Sequence, residues 1–323
     1  MKTSELVYTT RIPNHFKIPE SMGMPKETQA CGTPLEILAE TAGRICYDSY
    51  GVGRTSNEYH KHIMEVGHLS VYEHCTFTVE FDAWGQQWCE ALMNRPGVFF
   101  KRQAGKTRLT VNARTVLEWG QHNVGCNFEA KIGDELRLHM SSLMPQVIGP
   151  PRVIDPISRL VAPNDVNEVW VSMWLRGSRG FSHEMVRHGD WTAISQRSTR
   201  YVDESESEVC WHPAIMEEAN SEGGSLTRTF LSDVETAADE AYKHLVEMLM
   251  LNGHDRKQAR GAARGVLPNA LETQMIFSAS LAQWNHIFSM RCSQHADAEI
   301  RQIMTDARQI ILGDRNAALT AGS

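Results

Sequence analysis

The chain has 323 residues, 41% of them hydrophobic and 22% charged, with a formal net charge of −7. These are globular proportions over a length that can bury a large core, and the negative balance argues against a nucleic-acid polymer as partner. No run approaches the ~20 apolar residues of a membrane helix, and the opening MKTSELVYTTRIP lacks the apolar core of a secretory signal, so a soluble cytoplasmic protein that uses no membrane is expected.

In chain order, LEILAETAGRICY (35–47) has helical spacing. SNEYHKHIMEVG (56–67) predicts a second helix, with Ser56 as its cap and Gly67 as its stop. From Cys75 to Phe81 the residues alternate, which predicts a half-buried strand with Thr76, Thr78 and Glu80 on one face and Phe77, Val79 and Phe81 on the other. EVWVSMWLR (168–176) predicts a second, more apolar strand. The segment between them, roughly 85–165, is rich in Gly, Pro and Asn and reads as an insertion. Within it, RLTVNARTVLEW looks like a strand running into a helix. Ser182 is expected to cap a helix over 183–189. Residues 233–252 are amphipathic, with Val234, Ala237, Ala241, Leu245 and Met248 on one stripe and Asn252-Gly253 as the stop. Helices around 255–264 and 281–312 complete the pattern. No internal repeat is visible in the sequence, and the mixture predicts an α+β fold in a single domain, 1–323.

Seven cysteines, at 31, 46, 75, 89, 126, 210 and 292, form no CxxC pair, which argues against a disulfide framework or a structural zinc site. The densest polar stretch is SRGFSHEMVRHGDWTAISQRSTRYV (178–202). It brings Arg179, Arg187, Arg197 and Arg200 together with His183, Glu184, His188, Ser195 and Ser198. Guanidinium forks suit phosphate and the polar edges of planar rings, so this pattern points to an anion site. HEMVRH resembles the zinc-protease HExxH, but its second histidine comes five residues after the first and falls ~140° round the helix, so no metal site is expected. Arg256, Arg260 and Arg264 recur every fourth residue as a basic stripe. Arg291, His295 and Glu299 follow the same interval and are expected on one helix face. His68, Ser70, Glu73 and His74 cluster in GHLSVYEHCTF, just before the first strand.

Taken in order, these segments resemble the flavin-dependent thymidylate synthase family. RHG-DWTAISQR-STRY resembles its RHR motif with the following serine and Arg-Tyr pair. GHLSVYEH resembles its GHxSxxEH element, and AGRICY (42–47) its N-terminal segment. RKQARGAARGVLPNALET and MRCSQHADAEIR resemble its C-terminal half, so the likeness covers about 40–80 and 168–312. It implies an α+β fold assembled as a homotetramer with sites shared between subunits. It implies FAD as cofactor, with NADPH and methylenetetrahydrofolate as co-substrates in the conversion of dUMP to dTMP. By motif position, the flavin would meet His68, Ser70, Glu73, Arg187, His188, His286 and His295. The substrate dUMP would meet Arg179, Glu184, Arg187, Gln196, Ser198, Arg200, Tyr201, Arg264 and Arg291. Arg200 and Arg291 would stabilise charge on the uracil carbonyls, and Ser198 would position the substrate by a hydrogen bond. The chain departs from the family in having Gly189 for the last arginine of RHR, one extra residue before Ser198, and Ser280-Leu281-Ala282 in place of Asn-x-Arg. Asn112-Ala113-Arg114 repeats that last pattern inside the middle segment. The same binding residues would also permit a flavin-dependent dUMP hydroxymethylase or a nucleotide-binding homologue without catalysis.

Overall fold

A computed structural model describes residues 4–9, 18, 33–50, 53–82, 97–103, 105–122, 140, 158–160, 164–189, 191–205 and 207–320. The first helix, α1 (Pro34–Tyr47), begins at a capping box in which Thr33 and Glu36 exchange side-chain and backbone bonds, with Pro34 at its first position. Thr55, not Ser56, caps α2 (Ser56–Glu65). The reason is local: Glu58 lies three residues after Thr55 and completes a second capping box. The Ser56 hydroxyl is thereby free to bond Glu40 at 2.5 Å, and Glu40 also holds the buried Arg44 at 2.7 Å. A 3-10 turn over Leu69–His74 then leads into β2 (Thr76–Asp82).

Two four-stranded sheets carry the rest. The strands are β1 (Ser4–Thr9), β2, β3 (Val98–Gln103), β4 (Lys106–Asn112), β5 (Ser158–Leu160), β6 (Trp170–Ser178), β7 (Thr192–Gln196) and β8 (Glu272–Ser280). One sheet has the order β1-β6-β8-β7, the other β3-β4-β2-β5, and every pairing is antiparallel. The described strands of the middle segment share a sheet with β2: β4 and β5 pair with it on either side, and β3 pairs with β4. β2 is buried on both faces from Thr76 to Val79 rather than half-buried, with Thr78 bonding Thr110 of β4 at 2.9 Å. The helix predicted after RLTVN is α3 (Ala113–His122).

The β1-β6-β8-β7 sheet is also covered on both faces. Met173, Leu175 and Phe277 pack on one side against α8 (Leu281–Arg291) and α9 (Ala298–Thr320) through Trp284 and Ile303. Trp174 and Ile276 pack on the other side against Leu38 and Ile45 of α1. Burial on both faces accounts for the near-continuous apolar run in β6.

Four sequence expectations change here. The helix after β6 is α4 (Arg179–Met185), capped by Ser178 rather than Ser182. Ser178 Oγ accepts from Phe181 N at 3.0 Å and donates to Glu299 at 2.6 Å. The helix expected over 281–312 breaks between α8 and α9, where Ser293 and Asp297 side chains accept from the backbone N–H groups of His295 and Glu299 and compete with the helical ladder. Arg291, His295 and Glu299 thus do not share a helix face. The amphipathic segment belongs to a longer helix, α6 (Ser225–Leu251), that follows α5 (Pro213–Asn220). Its apolar stripe faces outward: Phe230 is 58% exposed and Leu226 62%. The basic stripe lies on α7 (Arg256–Ala263) and the turn after it. No helix among the described residues is long and apolar enough to cross a membrane.

Candidate functional site

The last turn of α4 and the end of α8 converge. Arg291 Nε donates to His188 Nε2 at 2.9 Å, and its Nη1 reaches Glu184 Oε2 at 2.5 Å. His188 can accept that bond only while Nε2 is unprotonated. Burial, aided by the adjacent Arg291 charge, lowers its pKa to about 4, so it stays neutral near pH 7. Glu184 and His188 together fix the guanidinium plane of Arg291, leaving the Nη2 edge for another group. His286 lies close enough to depress His188 further, and its own side chain is exposed.

A second group surrounds the turn after β7. Ser198 N donates to Cys46 O at 3.0 Å, which anchors the turn to the end of α1. Helix α7 closes over it: Arg260 bonds Tyr201 O and Asp203, both at 2.6 Å, and Arg264 Nη1 reaches Thr199 Oγ1 at 3.4 Å. Arg179 is half-buried nearby. Burial, and then the charge of Arg264, hold its pKa below the ordinary arginine value against the pull of Glu204. Several arginines are paired: Arg44 with Glu40, Arg108 with Glu168, Arg114 with Glu73 and Glu118, Arg176 with Glu272, Arg197 with Glu204, Arg260 with Asp203 and Arg291 with Glu184. Arg179, Arg187, Arg200 and Arg264 are among the described arginines that have no carboxylate within ion-pair distance. Three of these four, Arg179, Arg200 and Arg264, flank the Ser198–Tyr201 turn. Guanidiniums with no carboxylate in ion-pair contact suit a bound anion.

Gln196 sits on β7 with its amide nitrogen donating to Ser182 at 3.0 Å and Thr273 at 3.1 Å, which orients its carbonyl oxygen. Ser198 Oγ accepts from Arg200 N at 3.4 Å.

The early segment divides in two. His68 is exposed and meets Tyr47 Oη at 3.1 Å. Tyr47 in turn packs edge-on against Tyr201 with ring centroids 4.7 Å apart, and Arg200 lies over the Tyr201 ring. The segment thus joins the Arg-Tyr pair through Tyr47, whose place at the end of AGRICY was its only sequence signal. Ser70 is exposed near this edge. Glu73 points elsewhere, to Arg114 at 2.6 Å. His74 is fully buried and ties the 3-10 turn before β2 to the β1-β6-β8-β7 sheet, with Nδ1 against Ser278 of β8 at 2.7 Å and Nε2 against Ser195 of β7 at 3.0 Å. Burial lowers its pKa to about 3. It is a neutral structural clasp that holds this turn on the sheet. His295 lies exposed in the turn between α8 and α9, making one backbone bond to Ser293.

Residues 168–312 match the family model described as Thy1, thymidylate synthase complementing protein. Over that stretch the resemblance to the flavin-dependent thymidylate synthases holds. The match takes in α4, the Ser198–Tyr201 turn, α7 and Arg291, so it contains Arg179, Arg187, Arg200 and Arg264. The flavin-dependent thymidylate synthases of Mycobacterium tuberculosis (strain H37Ra) and Mycobacterium bovis (strain BCG / Pasteur 1173P2) are each 38% identical over 141 residues, 41% of this chain and 54% of theirs. That of Mycobacterium sp. (strain KMS) is 39% identical over 145 residues, with the same coverage. The chain spans about half the length of these relatives.

Proposed function

We propose that the protein is a flavin-dependent thymidylate synthase that converts dUMP to dTMP, with methylenetetrahydrofolate as carbon donor and NADPH as reductant. One observation carries this reading: Arg179, Arg264 and Arg200 flank the Ser198–Tyr201 turn without a carboxylate partner. A nucleotide monophosphate supplies the missing counter-charge. Arg179 and Arg264 take the phosphate, while Tyr201 and Tyr47 offer aromatic surface beside it. Gln196 and Ser198 orient the pyrimidine by hydrogen bonds. Arg291, held in plane by Glu184 and neutral His188, meets the uracil carbonyls and stabilises the negative charge that builds there as C5 becomes nucleophilic. Because His188 is neutral, it does not compete with Arg291 for that charge.

FAD fits the chemistry of the opposite side, where Arg187 is exposed without a carboxylate partner beside neutral His188, and bound flavin would supply the hydride. His68, Ser70, Glu73, His286 and His295 are its further proposed contacts. We read the chain as one domain built on both sheets and self-associating as a homotetramer. The support is that Arg200, Arg264 and the apolar ridge of α6 all stand on exposed surface, where a second copy can complete the site.

The test is incubation of purified protein with dUMP, methylenetetrahydrofolate, FAD and NADPH, followed by mass analysis of the nucleotide. Formation of dTMP is expected. A hydroxymethylated product would replace the proposed reaction, and unchanged dUMP would refute it.

A further inference from the structure

The two sheets are the same unit built twice. In each, a central strand pairs with the strand that opens the unit and with the strand that follows it, giving the orders β7-β8-β6-β1 and β3-β4-β2-β5. The register repeats as well. Thr76 pairs with Asn112 as Trp170 pairs with Ser280, and Val98 pairs with Val111 as Thr192 pairs with Ala279. The residue before the third strand is left-handed in both copies, Gly97 at φ 77° and Trp191 at φ 57°. The helix after the central strand starts identically. Asn112 Oδ1 accepts from Thr115 N at 2.8 Å as Ser280 Oγ accepts from Gln283 N at 3.1 Å. Ala113 N bonds Cys75 O as Leu281 N bonds Val169 O. No fixed period appears in the sequence because only residues 104–105 join β3 to β4, whereas 197–271 separate β7 from β8.

The register gives Arg114 the position that Ala282 holds in the second copy. The first copy thus carries a guanidinium where the second has a methyl group. The copies meet around a cavity of about 330 Å³, lined by Glu73, Asn112 and Arg114 from the first and by Gly189, Trp191 and Thr192 from the second. Trp191 is 42% exposed there in a left-handed conformation that is strained for a bulky residue. Gly97 serves the same turn in the first copy without that strain. At Gly189 the backbone is ordinary helical, φ −67°, and an added Cβ would meet nothing closer than Val186 O at 3.6 Å. The glycine is not demanded by the fold, and its missing side chain leaves the cavity open to Arg114.

We infer that the chain is an internal duplication whose first copy supplies Arg114 to the flavin nucleotide bound by the second. This deepens the functional reading above and rests on it. Trp191 offers a ring face for the isoalloxazine or adenine, and Arg114, held through Nη1 by Glu73 and through Nε by Glu118, offers its Nη2 hydrogens.

FAD affinity is measured by fluorescence titration, and dUMP affinity by calorimetry, for the full chain, Arg114→Ala and Arg114→Ala/Gly189→Arg. The expected result is a loss of FAD affinity of about tenfold or more in Arg114→Ala with dUMP affinity unchanged, and recovery in the double variant. Glu73 and Glu118 are partly solvated, so Arg114→Ala should keep its melting temperature within a few degrees. Unchanged FAD affinity in Arg114→Ala, or equal loss of both ligands, overturns the inference and leaves the functional reading intact. Absence of saturable FAD binding by the unaltered chain overturns both.

Discussion

Two arginines of the proposed site lie in contrasting surroundings. Arg291 is held by Glu184 and His188, and a partly exposed pair of this kind is worth at most about 1 kcal/mol to stability. Arg291→Ala should therefore leave the fold standing. Its expected cost is in the methyl-transfer half-reaction, which should slow by ~10²–10³ as a charge stabiliser is lost, while reduction of bound flavin by NADPH proceeds almost normally. Equal loss in both half-reactions, assayed separately, would indicate a disturbed site instead. Arg179 differs, because in the free protein it repels Arg264 and has no carboxylate within ion-pair distance among the described residues. Arg179→Ala should weaken dUMP binding by about 10- to 100-fold, the worth of a charge-assisted bond. The melting temperature of the free protein should change little, since the attraction of Glu204 and the repulsion of Arg264 oppose each other at this half-buried charge. A fall in that temperature with dUMP affinity intact would mark Arg179 as structural.

Among the elements, α6 stands out. Leu226, Phe230, Val234, Ala237, Ala241, Leu245 and Met248 recur at helical intervals of three and four, yet this ridge faces solvent, and Tyr242 is the buried residue of the helix. The periodicity of an amphipathic helix shows which residues share a face and leaves open what that face meets. Replacing Phe230 and Val234 by Lys should leave the helicity and melting of the single chain unchanged, because neither residue is buried within it. In sedimentation, the variant should run as a 36.4 kDa species where the unaltered protein runs as a multiple of it. Identical sedimentation of the two would remove the ridge from the assembly. The helix expected around 255–264 starts at a local capping box of Asp255 with Gln258. At α2 and α4 two candidate hydroxyls stand close in sequence: the capping box of Thr55 with Glu58 decides the first locally, and at the second Ser178 caps while Ser182 bonds Gln196.

For the molecule as a whole, three buried or half-buried histidines set the response to acid. Burial depresses His74 to about 3, His188 to about 4, and lowers His60 as well. An unfolded chain binds these protons near pH 6.5, so between about 6.5 and 4 the unfolded state holds more protons than the folded one. Stability must then rise with pH through that window and fall on acidification. Urea denaturation followed from pH 7.5 to 4.5 should show this slope. His74→Asn should flatten it, with a lower starting stability because the clasp to Ser278 and Ser195 is weakened. A slope unaltered in that variant would assign the acid sensitivity to other groups.

The sequence by itself determined the chemistry on offer: arginines, histidines and serines ordered along 178–202, the basic stripe before Leu267, and the early GHLSVYEH element. Helices and strands were readable for the same reason, since caps, periodicity and motif spacing are properties of residues a few positions apart. Only the tertiary structure decided which arginines are neutralised, because Glu168 pairs with Arg108 and Glu272 with Arg176 across long stretches of chain. It also decided that His74 is a clasp, that the helix after residue 281 breaks before 298, and that the middle segment completes a sheet with β2. The duplication stayed hidden because what the two copies share is hydrogen-bond register and turn conformation, which side chains as different as Gly97 and Trp191 both satisfy.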